Sequence, residues 1–211
     1  MSNILCVLLT MRGKFVSIIN MTIKQFENID IKQASKLAKL TWGDFYTQES
    51  AELQTFIYNF MVEYYDLNRK YSLSIFNEDL KGFLLAFTKD DRYNSENFEN
   101  KVKILKNEKE QQIALDLFNY LETCGKEVKT IMTDDDIFLG LFVSIQKGCG
   151  KKLLSKLNDI CKENSKKNIY LWTDTTCDYK YYRKNNFTLL KEVETFIHGK
   201  LIKTLIYRKS V

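Results

Sequence analysis

The residues best placed to do chemistry lie in one passage, Phe142-Val143-Ser144-Ile145-Gln146-Lys147-Gly148-Cys149-Gly150-Lys151-Lys152-Leu153-Leu154. It begins inside an apolar run, Ile137 to Ile145, bounded by acidic and polar residues. That pattern predicts a strand buried on both faces. Two glycines follow, which let a backbone turn tightly and approach a ligand closely. From Lys151 to about Asn164 the residues Leu153, Leu154, Leu157, Ile160 and Cys161 recur at helical spacing. The first N–H groups of such a helix have no internal partner, and the helix dipole adds positive potential beside them. With Lys147, Lys151 and Lys152 next to it, the turn suits a phosphate. A plain glycine turn between strand and helix would use the same residues, so both readings stand at this point. An ATP-type phosphate loop is excluded, because no Gly-Lys-Ser/Thr ending is present. A dinucleotide fold is excluded by the late position and the missing third glycine.

A second passage follows in order. Asn168 to Thr173 reads as another buried strand and Asp178 to Lys184 as a short helix, which runs into Tyr181-Tyr182-Arg183-Lys184-Asn185-Asn186-Phe187. The two passages together resemble the GNAT superfamily of N-acetyltransferases. That family has Gln/Arg-x-x-Gly-x-Gly/Ala after a strand and aromatic-Tyr-x-Lys-x-Gly-Phe at the end of a short helix. The resemblance covers roughly Met21 to the C-terminus and is sharpest from Ile137 to Phe187. Asn186 stands in place of the glycine, and asparagine is the next most tolerant residue for a left-handed turn. Gln146 lies two residues before Gly148 and not three, where this chain has Ile145. The strand-to-helix connection is about three residues short, and the usual proline is absent.

The resemblance implies an α/β (α+β) fold with a central mixed, mostly antiparallel sheet flanked by helices. It implies acetyl-CoA as cosubstrate and no metal. The coenzyme A pyrophosphate would lie on Gly148, Cys149 and Gly150. Leu141, Phe142 and Val143 on the strand would line the cofactor, with Gln146, Lys147, Lys151, Thr175 and Lys184 nearby. Thr175 occupies the place where the family often has asparagine. The acceptor would be a primary amine of a small molecule or peptide, attacking the thioester directly. Tyr182 would donate a proton to the departing sulfur, a role that suits a phenol neutral at pH 7. An inactive acyl-CoA-binding regulatory module of the same fold is the alternative; Tyr182 favours the enzyme, and the shifted Gln146 keeps the module open.

The base is less determined. Asp174 follows the second strand and could draw a cationic amine or take its proton; it also reads as a plain turn carboxylate. Asp134, Asp135 and Asp136 read as a solvated strand entry, and a water chain could replace any single base. Cys149 and Cys177 raise covalent acyl transfer, but His198 is the one histidine and lies in an expected hairpin turn. It leaves no multi-histidine metal site and little room for a Ser-His-Asp triad.

These residues need a frame. Thr22 to Phe26 alternates as a strand, and Asn28 to Asp30 can cap a helix from Ile31 to about Leu40. Ser50 to Asp66 fits a second helix, with Leu53, Phe56, Ile57, Phe60 and Met61 on one face. Tyr71 to Phe76 and Leu80 to Thr88 read as a hairpin. Residues 89–135 read as a helical insertion between the third and fourth strands, with one helix from Lys101 to about Cys124 stopped by Gly125. Its narrow apolar stripe predicts a solvated cover or a lid. Thr188 to Ile197 and Leu201 to Arg208 close the chain as a hairpin. The acceptor pocket is expected from the first two helices and the insertion, which carry no motif.

Bulk properties agree with one domain, 21–211. The chain has 211 residues, 45% hydrophobic and 28% charged, with 14 Phe and 12 Tyr, so it can build a sizeable core. A net charge of +5 fits an anionic ligand and is too weak and dispersed to indicate nucleic acid. Five cysteines, without metal-ligand spacing, fit a reduced cytoplasm. No stretch is long and apolar enough to span a membrane. A homodimer is among the expectations. Residues 1–20 read either as an appendage or as the product of a start codon set too far upstream, since Met21 opens a second beginning.

Overall fold

The computed structural model describes residues 21–197 and 200–211. Strand β1 (Thr22–Gln25) leads through a 3-10 turn into α1 (Ile31–Trp42), and α2 (Ala51–Tyr65) follows. Strands β2 (Leu73–Asn77) and β3 (Asp79–Thr88) form a hairpin. Two helices, α3 (Ser95–Val102) and α4 (Glu108–Lys129), precede β4 (Asp136–Ser144). Then come α5 (Cys149–Glu163), β5 (Asn168–Asp174), α6 (Lys180–Lys184), and the hairpin of β6 (Thr188–Ile197) and β7 (Lys200–Ser210). The chain has no proline, and polar side chains cap the starts of α2, α3 and α4. Ser50 Oγ accepts from Leu53 N–H at 3.0 Å, and the Asn94 and Asn107 side chains do the same for Glu96 and Lys109.

Among the described residues seven strands form one open sheet in the order β1-β2-β3-β4-β5-β7-β6. Every pairing is antiparallel except β4 with β5. A buried layer covers each face. One face carries Phe83, Phe138 and Tyr170 against α1, α2, α3 and α4. The other carries Leu84, Ile137 and Leu171 against Leu153, Leu157 and Cys161 of α5. The central run from residue 137 alternates between these layers, which is why it is apolar throughout.

The parallel pair is short. It holds for Asp136, Ile137 and Phe138 opposite Asn168, Ile169 and Tyr170, and then the two strands part. A bulge in β4 marks the place. Leu85 faces Leu141 while Ala86 faces Leu139, so Gly140 is the extra residue. A Cβ on Gly140 would overlap the Tyr65 ring and stand 2.7 Å from Phe87 Cε1. Two aromatic rings therefore press on the backbone where β4 leaves β5.

The insertion differs from the expected cover. It is two helices, and Phe98, Val102, Leu117, Leu121, Cys124 and Val128 are buried in the main core. Phe98 stacks on Phe118 at 4.5 Å. Gly125 does not stop the helix. It is buried within α4, which runs on to Lys129 because Val128 still has core to bury in. Asp134 and Asp135 are exposed, whereas Asp136 is buried and accepts from Thr133 N–H at 2.8 Å and Asn168 Nδ2 at 2.7 Å. These aspartates sit at the paired end of β4, away from the parting. The readings for residues 1–20 and for the turn at His198 lie outside the described residues.

Candidate active site

Where β4 and β5 part there is a cavity of about 730 Å³. Its walls come from both faces of the sheet: Tyr65, Leu121 and Val143 from one buried layer, and Phe142, Tyr181 and Tyr182 from the other. Beyond Phe138 and Tyr170 the facing edges of the two strands have no strand partner, so backbone polar groups are available to a ligand.

The glycine turn closes one end. Gly148 has φ of 87° and caps α5 in the left-handed region, which a residue with a Cβ adopts only with strain. The helix begins at Cys149, two residues earlier than the sequence suggested. Cys149 N–H is taken by Gln146 O at 3.1 Å and Lys152 N–H by Gly148 O at 3.2 Å. The N–H groups of Gly150 and Lys151, between them, have no backbone acceptor among the described residues. Gly150 answers to crowding and not to φ. A Cβ there would stand 2.8 Å from Tyr181 Oη and 3.1 Å from Phe142 Cζ. Tyr181 Oη is itself buried without a hydrogen-bond partner. An open glycine turn, free N–H groups and the adjacent Lys147 and Lys151 fit a pyrophosphate.

Among the residues singled out by sequence, Leu141, Phe142, Val143, Gln146, Lys147, Gly148, Gly150, Lys151, Asp174 and Tyr182 all line this cavity. Three do not. Cys149 is fully buried beneath the turn, with Sγ 3.6 Å from Met21 Sδ, so only its backbone belongs to the loop. Thr175 and Lys184 are exposed and outside the lining. The neighbouring Thr176 lines it instead.

Tyr182 is held on α6 by aromatic neighbours. Phe187 meets it edge-on at 5.6 Å, and the Tyr207 ring lies 5.8 Å away. Burial, then the Cys177 thiol, raises its pKa, so the phenol keeps its proton. Asn186, just beyond α6, has φ of 65°, the left-handed turn that asparagine tolerates. Asp174 ends β5 and is 8% exposed. Its Oδ2 accepts from Tyr120 Oη at 2.9 Å, and its Oδ1 accepts from Thr176 N–H at 2.8 Å and from Thr176 Oγ1. Burial, then the Asp174 charge, raises the Tyr120 pKa, which keeps it a donor. The thiols are poorly placed to act as nucleophiles. Burial, then the Asp174 charge, pushes Cys177 up, and burial raises Cys149.

The other half of the cavity carries residues that no sequence motif marked. Trp42 comes from α1, Phe45 and Tyr46 from the following 3-10 turn, Met61 and Tyr65 from α2, and Leu117, Tyr120 and Leu121 from α4. Their apolar spacing is that of any core-facing helix, which hid their second role. Trp172 on β5 meets Tyr120 edge-on at 5.3 Å. Tyr65 Oη and Trp172 Nε1 are both buried without a hydrogen-bond partner. Trp172 does offset the burial that raises the Tyr65 pKa, so the two groups are neighbours whose geometry falls short of a hydrogen bond. Among the described residues no cluster of three or more His, Cys, Asp or Glu could hold a metal ion. Among them, too, no helix is long and apolar enough to cross a membrane.

Fold and site define an open mixed-sheet α/β protein with a ligand-sized cavity at its split parallel pair. No family model matches the sequence, and no curated protein matches it. Solved structures do. An acetyltransferase of the GNAT family from Desulfovibrio desulfuricans is similar at TM-score 0.55 and 11% identity, over 90% of this chain and 99% of that one. The ribosomal-protein-S18-alanine N-acetyltransferase from Escherichia coli is similar at TM-score 0.52 and 10% identity, over 91% and 94%. The C-terminal condensation domain of Ebony, in complex with beta-alanyl-dopamine, is similar at TM-score 0.67 and 10% identity, over 92% and 100%. This chain has the fold of the GNAT superfamily of N-acetyltransferases. At these identities the likeness is one of fold.

Proposed function

We propose that the protein moves an acetyl group from acetyl-CoA to the primary amine of a small molecule or peptide. The observation that carries this reading is the cavity at the split of β4 and β5, which joins the open glycine turn to Tyr182 and Asp174. Acetyl-CoA, when bound, supplies the acetyl thioester. The Gly150 and Lys151 N–H groups and the Lys147 and Lys151 ammonium groups would hold its pyrophosphate. Leu141, Phe142 and Val143 offer the open edge of β4 beside it.

The remaining work belongs to side chains. In this reading Asp174 attracts the acceptor's ammonium and takes its proton, directly or through water. Tyr182, part-buried and holding its proton, would donate a hydrogen bond to the departing thiolate, whose proton then comes through Tyr182 or from water. The thiolate is a single leaving group, and the amine nitrogen forms the single new bond. The raised pKa values of Cys149 and Cys177 speak against an acyl-cysteine route. The experiment is a thermal-shift titration with acetyl-CoA and free CoA. Saturation at about a hundred times the dissociation constant should add roughly 2.7 kcal/mol. No shift with either ligand would remove the basis of the proposal.

A further inference from the structure

The acceptor half of the cavity has chemistry of its own. Asp174 is a buried carboxylate, and among the described residues no cation pairs with it. Its partners, Tyr120 and Thr176, are neutral donors. A buried charge without a counter-charge is costly, and a ligand cation is the simplest group to offset it. The walls around it are apolar: Trp42, Met61, Leu117, Leu121, Trp172 and Ile202 all line the same cavity. Aromatic rings suit both a cation and a flat apolar body.

Charge also says what the pocket refuses. Among the described residues the basic side chains on the cavity wall are Lys147 and Lys151, and both belong to the glycine turn. The other charged wall residues are Asp44, Asp174 and Asp178. A carboxylate carried next to the reacting amine would thus enter an acidic, apolar space with no donor cation among the described residues.

From this we infer that the acceptor is a primary amine on a compact apolar or aromatic body, with no carboxylate beside the amine. The inference rests on the acetyl-transfer reading above and adds the substrate class to it. Asp174 fixes the ammonium, and the Trp42–Met61–Trp172 walls bury the body. A substrate carboxylate is repelled by Asp174, and at about 5 Å that repulsion alone exceeds tenfold in binding.

The test uses the full chain with acetyl-CoA and four acceptors: 2-phenylethylamine, phenylalanine, spermidine and an alanine-initiated peptide. Thiol release gives kcat/KM for each. The expected result is 2-phenylethylamine at least about tenfold above every other acceptor. Asp174→Asn should then raise its KM by about tenfold to a hundredfold, lower kcat as well because the base is lost, and leave CoA affinity unchanged. Phenylalanine, spermidine or the peptide equal to or above 2-phenylethylamine overturns the inference and leaves acetyl transfer standing. If no acceptor is acetylated, calorimetry of 2-phenylethylamine against the CoA-saturated protein separates the two ideas. Binding that Asp174→Asn weakens at least tenfold keeps the pocket assignment and removes the acetyl-transfer reading. No binding overturns the pocket assignment.

Discussion

Replacing Gly150 with alanine adds one carbon at the most crowded point of the glycine turn. That carbon would sit 2.8 Å from Tyr181 Oη and 3.1 Å from Phe142 Cζ, so a ring must move. Tyr181 Oη has no hydrogen bond to hold it, and its ring lines the cavity, so it is the one that yields. Overpacking of this kind costs about 1–3 kcal/mol. Alanine returns about 0.5–1 kcal/mol through helix propensity, so the free protein should lose at most about 2.5 kcal/mol and stay folded. Ligand binding should suffer more. A displaced phenol beside the Gly150 and Lys151 N–H groups would cost at least one charge-assisted hydrogen bond, about 1.5–3 kcal/mol. CoA affinity should therefore fall about tenfold to a hundredfold. Calorimetry with CoA gives the affinity, and thermal denaturation shows that the variant is folded. The double variant Gly150→Ala/Tyr181→Phe removes the clashing oxygen and should recover part of the loss. A folded Gly150→Ala protein with unchanged CoA affinity would refute the placement of the pyrophosphate.

Three further outcomes follow from the structure. Tyr182→Phe keeps the ring contacts with Phe187 and Tyr207 and removes the hydroxyl; acetyl-CoA affinity should hold while turnover falls about a hundredfold, and wild-type turnover would assign the acid elsewhere. Gly140→Ala should destabilise the fold by about 3 kcal/mol or more in urea denaturation, because its Cβ overlaps Tyr65, and a neutral result would mean the bulge is soft. Stability should fall above about pH 9.5: burial pushes the Cys124 and Cys161 thiols from 9.0 up to about 12, so their contribution is whole below 9 and is lost as pH rises towards 12. Lys129, lowered to about 8 chiefly by burial and then by Arg92, opposes this between 8 and 10.5, but it is partly exposed. The two thiols outweigh the one lysine above about pH 9.5, so stability should fall from there to about pH 10.5 with a slope of about one proton, and a flat profile over that window would contradict it.

The glycine-turn end of the cavity was legible in the sequence and the opposite wall was not, for a physical reason. A glycine turn between a buried strand and an amphipathic helix is written in a few adjacent residues, and Gly148 and Gly150 can be named from it, whereas Tyr182 is named only through the resemblance carried by Tyr181 to Phe187. Even there the helix start was misplaced, because Cys149 and Gly150 look like turn residues while their backbone is already helical. Thr175 was named by its place in a motif, yet Thr176 is the one whose N–H and hydroxyl reach Asp174. The acceptor wall draws on α1, α2 and α4, where Met61, Leu117 and Leu121 follow core spacing and carry no separate signal. Gly125 shows the converse error: glycine suggested a helix end, but tertiary burial of Cys124 and Val128 carried the helix through it. The split of β4 from β5 is a property of strand pairing, and the Tyr65 ring packed at Gly140 beside it is a tertiary contact, so neither is local in sequence.

The central claim is the transfer of acetyl from acetyl-CoA to an amine at the split strands. The most direct measurement is the product balance of the wild-type protein with acetyl-CoA and a primary amine, reading acetamide by mass spectrometry and free thiol by colour. One acetamide formed for each thiol released, with both rates lowered together in Tyr182→Phe, is the predicted result. Thiol released without acetamide, or neither product from a protein that binds CoA, would contradict it.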